Sequence, residues 1–223
     1  MDFFWGYLIG YAYLFGIILG VGAAYKIFKF PSELSRKLIH ILICFTWLIL
    51  YRFFKGSWQI LVMPLSFVII NALSLKYKFF KGMEREGEKS TPGTVYYALA
   101  ITGLTGLSLI FPETLIPGGV AIFCLSFGDG FAAIAGEFFG KRSPKITKTK
   151  SLVGTLACFV FSIVGVYILE LCLPGQLLLS FPQVLIIGVA TSVLELAGWG
   201  LDNFTISFGI VALATLFRET WVF

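Results

Sequence analysis

From Phe3 onward, runs of about 20 apolar residues succeed one another, and the connections between them hold most of the charge. A hydrocarbon core about 30 Å thick demands helices of that length, because no water inside it can satisfy backbone N–H and C=O groups. Eight such runs can be drawn, at residues 3–25, 38–54, 57–75, 94–111, 115–137, 152–173, 181–198 and 203–217. The pattern predicts an all-α, polytopic integral membrane protein with about seven to eight transmembrane helices in a single membrane-embedded domain, 1–223. Only the stretch from Gly198 to Asp202 separates the last two runs, and short helices there are tolerable if they line a cavity enclosed by protein.

Composition excludes the other classes. Apolar residues make up 58% of the chain and charged ones 13%, against roughly a quarter charged in soluble domains. Such a chain cannot cover a soluble surface, and 24 Phe with 5 Trp drive burial rather than disorder. The net charge of +5 does not point to nucleic acid, because the basic residues sit in short connections between spans. Cys44, Cys124, Cys158 and Cys172 form no CxxC pair and read as soft apolar filler rather than a zinc site. No basic segment precedes the first run and no small-residue cleavage site follows it, so it reads as a retained span.

Lysine and arginine set the orientation. Lys26, Lys29, Arg36 and Lys37 follow the first run; Lys76, Lys78, Lys81, Arg85 and Lys89 follow the third; Lys141, Arg142, Lys145, Lys148 and Lys150 follow the fifth. The other side holds Arg52, Lys55 and Arg218, a division of 14 against 3. The basic loops 26–37, 76–93 and 140–151 are therefore expected in the cytoplasm, with both termini outside. The basic loops share no sequence, so no internal repeat of the kind that builds transporters is visible.

Five polar constellations fall on that basic side. In the segment Pro31 to His40, helical spacing puts Arg36, Lys37 and His40 on one face, able to grip phosphate oxygens or simply to snorkel to head groups. Gly82 to Thr94 is rich in glycine, hydroxyls and mixed charge, and it can wrap a nucleotide or be a solvated hairpin ending in a helix start. Asp129 stands inside an apolar run, where an ionised carboxylate costs several kcal/mol unless it is paired or metal-bound. Gly128, Ala132, Gly136 and Gly140 recur every four residues as a smooth ridge for close packing, within the chain or between copies in a homo-oligomer. Asp129 and Glu137, eight residues apart, flank a common sector of one helix. Lys145, Lys148 and Lys150 alternate with hydroxyls before a helix start at Ser151, which suggests an anion site on free helix amides, or an ordinary basic loop. It is not a P-loop, since the glycine spacing is wrong and no strand precedes it. Glu195, Asp202 and Asn203 lie on a hairpin without basic residues and resemble hard-cation ligands, although Asp202 also suits a helix N-cap. Mg²⁺ takes carboxylates together with phosphate oxygens while lysines neutralise the rest, so the residues point to polyphosphate chemistry at the cytoplasmic leaflet.

In these same segments the chain resembles the CTP-dependent lipid-alcohol kinases, the family of dolichol, phytol and farnesol kinases and the yeast-type diacylglycerol kinase, in a compact prokaryotic form. Arg36-Lys37-x-x-His40 is similar to the family's Arg-Lys-x-x-His, and Gly93-Thr94-x-Tyr96-Tyr97 to its Gly-Thr-x-Tyr-Tyr. The stretch from Ser126 through Asp129 to Ala133 resembles its Asp-Ala-x-Ala core. Lys150-Ser151-x-x-Gly154-Thr155 parallels Lys-Ser-x-Glu-Gly-Ser/Thr, and Glu195 with Asp202-Asn203 parallels a late Glu and Asp-Asn. Gly130 stands where the family has Ala, and Val153 where it tends to have Glu, a carboxylate for which Glu137 is the candidate replacement in space.

The resemblance implies transfer of the CTP γ-phosphate to a membrane-embedded lipid alcohol, a polyprenol, phytol-type alcohol or diacylglycerol. It implies catalytic roles for Asp129, His40 and Lys150, with Mg²⁺ held by Asp129, Glu195 and Asp202. Arg36, Lys37, Gly93, Thr94, Lys141, Lys148, Ser151, Gly154 and Asn203 would bind the nucleotide. The alternatives are a CTP:phosphatidate cytidylyltransferase, which would transfer CMP, and a non-enzymatic transporter or lipid scaffold. A prokaryotic copy would lie in the inner membrane, a eukaryotic one in the endoplasmic reticulum or a plastid membrane.

Overall fold

The computed structural model describes residues 2–77, 92–177, 179–198 and 200–219. Most of the glycine- and charge-rich constellation, residues 82–91, lies outside them. Among the described residues no strand forms, and ten α-helices carry the fold: α1 (Phe3–Phe28), α2 (Ser32–Ile43), α3 (Thr46–Phe54), α4 (Val62–Tyr77), α5 (Gly93–Ile110), α6 (Leu115–Phe123), α7 (Gly130–Phe139), α8 (Leu152–Cys172), α9 (Phe181–Ala197) and α10 (Asp202–Glu219). They make six segments long and apolar enough to cross a membrane, plus two shorter apolar helices, α9 and α10.

The chain stops its helices where local chemistry requires. Lys29 ends α1 in the left-handed conformation and donates its N–H to Tyr25 O, and Pro31 then opens α2. Pro112 follows the end of α5 and Pro174 the end of α8, as expected of a residue without an N–H to donate. Ser180 and Gln183 form a reciprocal capping box at the start of α9.

Two expected spans have different internal structure. The second begins at Ser32 rather than 38, so Arg36 and Lys37 are helical residues instead of loop residues. α2 and α3 run as one segment, Ser32–Phe54, tightened at Cys44 and Phe45 by i→i+3 bonds such as Trp47 N–H to Cys44 O, 2.9 Å. The fifth is a 31-residue segment, Pro112–Arg142, interrupted by a π-helical turn at Cys124–Asp129 that joins α6 to α7.

That fifth segment is the axis of the molecule, with α2, α5, α8 and α10 packed around it while α1 stays mostly open to lipid. Small residues allow the close approach. The Trp47 indole covers Gly118 and Gly119 and donates its N–H to Leu115 O at 3.1 Å. The ridge of Gly128, Gly136 and Gly140 packs within the chain, against Ser162 and Ser151 of the α8 segment. A Cβ on Gly165 would stand 2.9 Å from the Phe123 carbonyl oxygen, and backbone cannot move aside as a side chain can. Gly165→Val is therefore expected to destabilise the fold by roughly 1–3 kcal/mol. Thermal unfolding in detergent checks this, and an unchanged midpoint would refute the backbone-to-backbone fit.

Candidate active site

Between α2, α4, α5, α7, α8 and the α9–α10 turn lies one cavity of about 1150 Å³. Ligand pockets typically measure ~300–1,000 Å³, so this one has room for more than one reactant. Every residue to which the resemblance gives a catalytic, metal or nucleotide-binding role lines it. α2 contributes Arg36, Lys37 and His40, and the start of α5 contributes Gly93 and Thr94. Asp129 comes from the π-helical turn, and Lys141, Lys148, Lys150, Ser151 and Gly154 come from the approach to α8. Glu195, Asp202 and Asn203 complete the wall from the α9–α10 turn.

The deepest charge is Asp129. The ten residues of α7 separate it from the basic segment that follows, about 15 Å at 1.5 Å per residue. Lys37, for which the sequence offers a grip on phosphate or a head-group role and the resemblance nucleotide binding, instead turns inward onto Asp129 and is 6% exposed. Its Nζ donates to Asp129 Oδ2 at 2.6 Å, because α2 packs directly on α7, with Ile41 filling the space a Cβ on Gly130 would need. His40 Nε2 lies 3.7 Å from the same oxygen and finds no hydrogen-bond partner among the described residues. The His40 ring rests on Tyr97, centroids 4.2 Å apart, and Tyr97 Oη hydrogen-bonds Ser126 Oγ at 2.7 Å. The π turn thus offers Ser126 and Asp129 to the same group of residues.

A second cluster sits on Lys150. Its Nζ donates to a Glu195 carboxylate oxygen, to Glu195 O at 3.0 Å and to Asp202 Oδ2 at 3.2 Å. Burial works against its charge, but the Glu195 hydrogen bond and the charges of Glu195, Asp202 and Asp129 outweigh it. The pKa is held above the ordinary lysine value. Gly200, at φ 91°, makes the turn that brings Asp202 back toward Glu195, and the absence of a Cβ on Gly198 leaves room for the Asp202 carboxylate. Glu195 Oε2, Asp202 Oδ1 and Asn203 Oδ1 remain buried without a partner among the described residues.

The loop before α8 corrects one expectation. Its helix amides are not free to hold an anion, since the loop folds back and caps them. Leu152 N–H donates to Pro144 O, Val153 N–H to Ser143 Oγ and Gly154 N–H to Ser151 Oγ, at 2.8, 3.0 and 3.3 Å. Ser151 is thereby an N-cap, and the grip on an anion passes to the lysines. The Lys150 carbonyl accepts from Ile146 N–H at 3.0 Å, and Thr147 Oγ1 accepts from Lys150 N–H at 3.1 Å, so the hairpin itself fixes the lysine. Arg36 is held by Glu33 and lies over Gly93, 3.4 Å from where a Cβ would stand.

Two cavity residues carry little signal in the sequence: Tyr97 is one member of a longer motif, and Asn71 is a lone carboxamide in an apolar span. Among the described residues no group of three or more His, Cys, Asp or Glu gathers to hold a metal on its own. The arrangement can bind a polyanion through the cations that line it and accept a proton on a carboxylate pinned by Lys37.

The chain is 26% identical over 214 residues to phytol kinase of Synechocystis sp., covering 94% of this chain and 90% of that protein. It is 30% identical over 166 residues to phytol kinase 1, chloroplastic, of Arabidopsis thaliana, covering 69% and 53%. It is 30% identical over 131 residues to CTP-dependent diacylglycerol kinase 1 of Schizosaccharomyces pombe, covering 53% and 57%. The chain thus spans nearly all of the cyanobacterial relative and about half the length of the plant and yeast ones. No family profile and no solved structure matches it.

Proposed function

Since the chain belongs to the family of lipid-alcohol kinases that includes phytol kinase and CTP-dependent diacylglycerol kinase, we propose that its cavity transfers the γ-phosphate of CTP to the hydroxyl of a membrane alcohol. The acceptor class is an isoprenoid alcohol or diacylglycerol. The observation that carries this reading is the placement of one pinned, buried carboxylate at the floor of a cavity whose mouth is lined by lysines.

The alcohol oxygen attacks the γ-phosphorus as the bond to the β-bridging oxygen breaks, and CDP leaves with the bonding electrons. The hydroxyl proton passes to Asp129. Lys37 holds Oδ2 of that carboxylate, so Oδ1 is the oxygen left to receive the proton. His40, packed on Tyr97 beside it, orients the group and limits its motion. Lys141, Lys148 and Lys150 neutralise the phosphates, and Arg36 closes over them from the α5 side. Positioning and neutralisation supply most of the rate in reactions of this kind.

A magnesium ion suits Glu195 and Asp202, whose buried oxygens Oε2 and Oδ1 lack partners, with Asn203 Oδ1 beside them. Mg²⁺ characteristically takes one or two carboxylates and completes its shell with waters and phosphate oxygens, so a ready three-residue cage is not needed. When bound, such an ion supplies charge neutralisation on the phosphates. Asp129, engaged by Lys37, acts as proton acceptor rather than as a third ligand. The excess of basic residues on one side supports a cavity mouth that faces the cytoplasm.

The test uses purified protein in lipid vesicles with Mg²⁺, phytol, farnesol, diacylglycerol or phosphatidate, and CTP labelled at the α or the γ position. Label reaching lipid only from γ is the expected result. Transfer only from α would mean a cytidylyltransferase, and transfer from neither would refute both.

A further inference from the structure

The mechanism above leaves one buried polar group of the cavity unused. Asn71, on α4, is 7% exposed and lines the cavity. Its Nδ2 donates to Thr94 O at 3.0 Å. A carbonyl oxygen can only accept, so this bond fixes the orientation of the carboxamide and turns Oδ1 away from Thr94. Oδ1 is buried and has no partner among the described residues. Leaving an acceptor in that state is costly, and a ligand that supplies a donor removes the cost.

The level of Asn71 in the cavity limits what that donor can be. Phosphate oxygens are acceptors and are repelled. Thr94 precedes Tyr97 by three residues, about 4.5 Å along α5, and Tyr97 lies on His40 beside Asp129. Asn71 is therefore about one turn nearer the start of α5 than the carboxylate to which the alcohol hydroxyl must come. The nucleoside, not the lipid, occupies that level.

Its neighbours then favour the base over the ribose. Tyr96, also on the first turn of α5, lines the cavity and is backed by Phe204, ring centroids 5.5 Å apart, which provides an aromatic surface on which a base can stack. An acceptor that cannot donate suits the amino group of a base, whose N–H bonds only donate, better than a hydroxyl, which also accepts.

We propose that Asn71 Oδ1 reads the nucleotide base, accepting a hydrogen bond from the 4-amino group of cytosine and disfavouring uracil, which presents an oxygen there. The inference rests on the kinase reading and adds a specificity-determining residue to it. Discrimination comes from the lone pairs of Asn71 and the uracil oxygen facing each other in a buried site, where an unmet acceptor is most costly.

The experiment measures Kd for CTP, UTP, dCTP and the 2-pyrimidinone ribonucleoside triphosphate, which lacks the amino group, with Mg²⁺ and protein in lipid nanodiscs. Wild type should bind CTP about tenfold or more tighter than UTP or the pyrimidinone analogue, the effect of one buried hydrogen bond. Asn71→Ala should bring the three within about threefold of one another. Each ratio comes from one preparation, so a partly folded variant does not distort it, and the analogue tests wild type without any substitution. An unchanged CTP/UTP ratio in Asn71→Ala overturns the proposal, as does wild type that binds CTP and UTP equally. Loss of a CTP-over-dCTP preference in its place would move the contact to the ribose and overturn it too. Equal γ-phosphate transfer from CTP and UTP would sink this inference alone, while no nucleotide binding by wild type would sink the kinase reading with it.

Discussion

Asp129→Asn abolishes lipid phosphorylation, with kcat falling by about 10³-fold or more, the scale on which a positioned proton acceptor contributes. The same change lowers stability, for a reason that separates the two roles. Lys37 is 6% exposed and its ammonium has Asp129 as its ion-pair partner at 2.6 Å. Removing one member of such a pair strands the other, at about 3–5 kcal/mol, whereas removing both is often neutral. Combining Asp129→Asn with Lys37→Met should therefore restore most of the melting temperature and none of the turnover. Label transfer from γ-labelled CTP and thermal unfolding, measured on the same preparations, check both halves. Wild-type turnover in Asp129→Asn would remove the residue from the chemistry. Turnover that returned with the melting temperature in the double variant would make the pair purely structural.

The second large effect is expected at Lys150. Lys150→Met leaves Glu195 and Asp202 facing each other around a position from which their shared cation has gone. The two carboxylates repel, the α9–α10 turn opens, and the nucleotide loses the cation that stands between phosphate and carboxylate. We expect kcat/KM for CTP to fall by about 10²–10³-fold, carried by kcat as well as KM, since the group acts on charge that shifts during transfer. Lys141→Ala is the contrast. That side chain is exposed and screened, so its loss should raise KM by less than about tenfold and leave kcat in place. Steady-state kinetics with CTP varied at fixed lipid distinguish the two. Equal effects at Lys141 and Lys150 would show that the lysines act only as a diffuse positive field.

These two residues also show what the sequence could and could not disclose. Asp129 was legible because a carboxylate in an apolar run has no inexpensive explanation. Its partner was not, because Arg36 and Lys37 are adjacent in sequence and both suit a membrane-facing head-group role. Only the packing of α2 on α7 turns one of them inward. Run lengths revealed the six membrane-length segments and the two shorter apolar helices, but the π-helical turn at Cys124–Asp129 leaves no mark in apolar periodicity, since the residues around it are mostly apolar or small. The sequence leaves open whether the amides at the start of α8 are free, because a turn 143–151 that folds back on its own helix is written in hydrogen bonds, not in composition. Asn71 escaped for the opposite reason. A single polar residue in a span carries little weight until its neighbour across the helix pair, Thr94, is known.

The depth of Asp129, ten helical residues below the basic segment, has a consequence for what concentration means to this protein. About 15 Å is half the thickness of the hydrocarbon region, so in the proposed reaction the acceptor hydroxyl would meet the carboxylate without its chain leaving the bilayer. For that reactant, litres of water are irrelevant. Its availability is a mole fraction of the membrane, set by how many other lipids share the leaflet, while the nucleotide remains governed by molarity in the aqueous phase. One reaction is thereby run at the boundary of two solvents, and the rate responds to dilution in either of them separately.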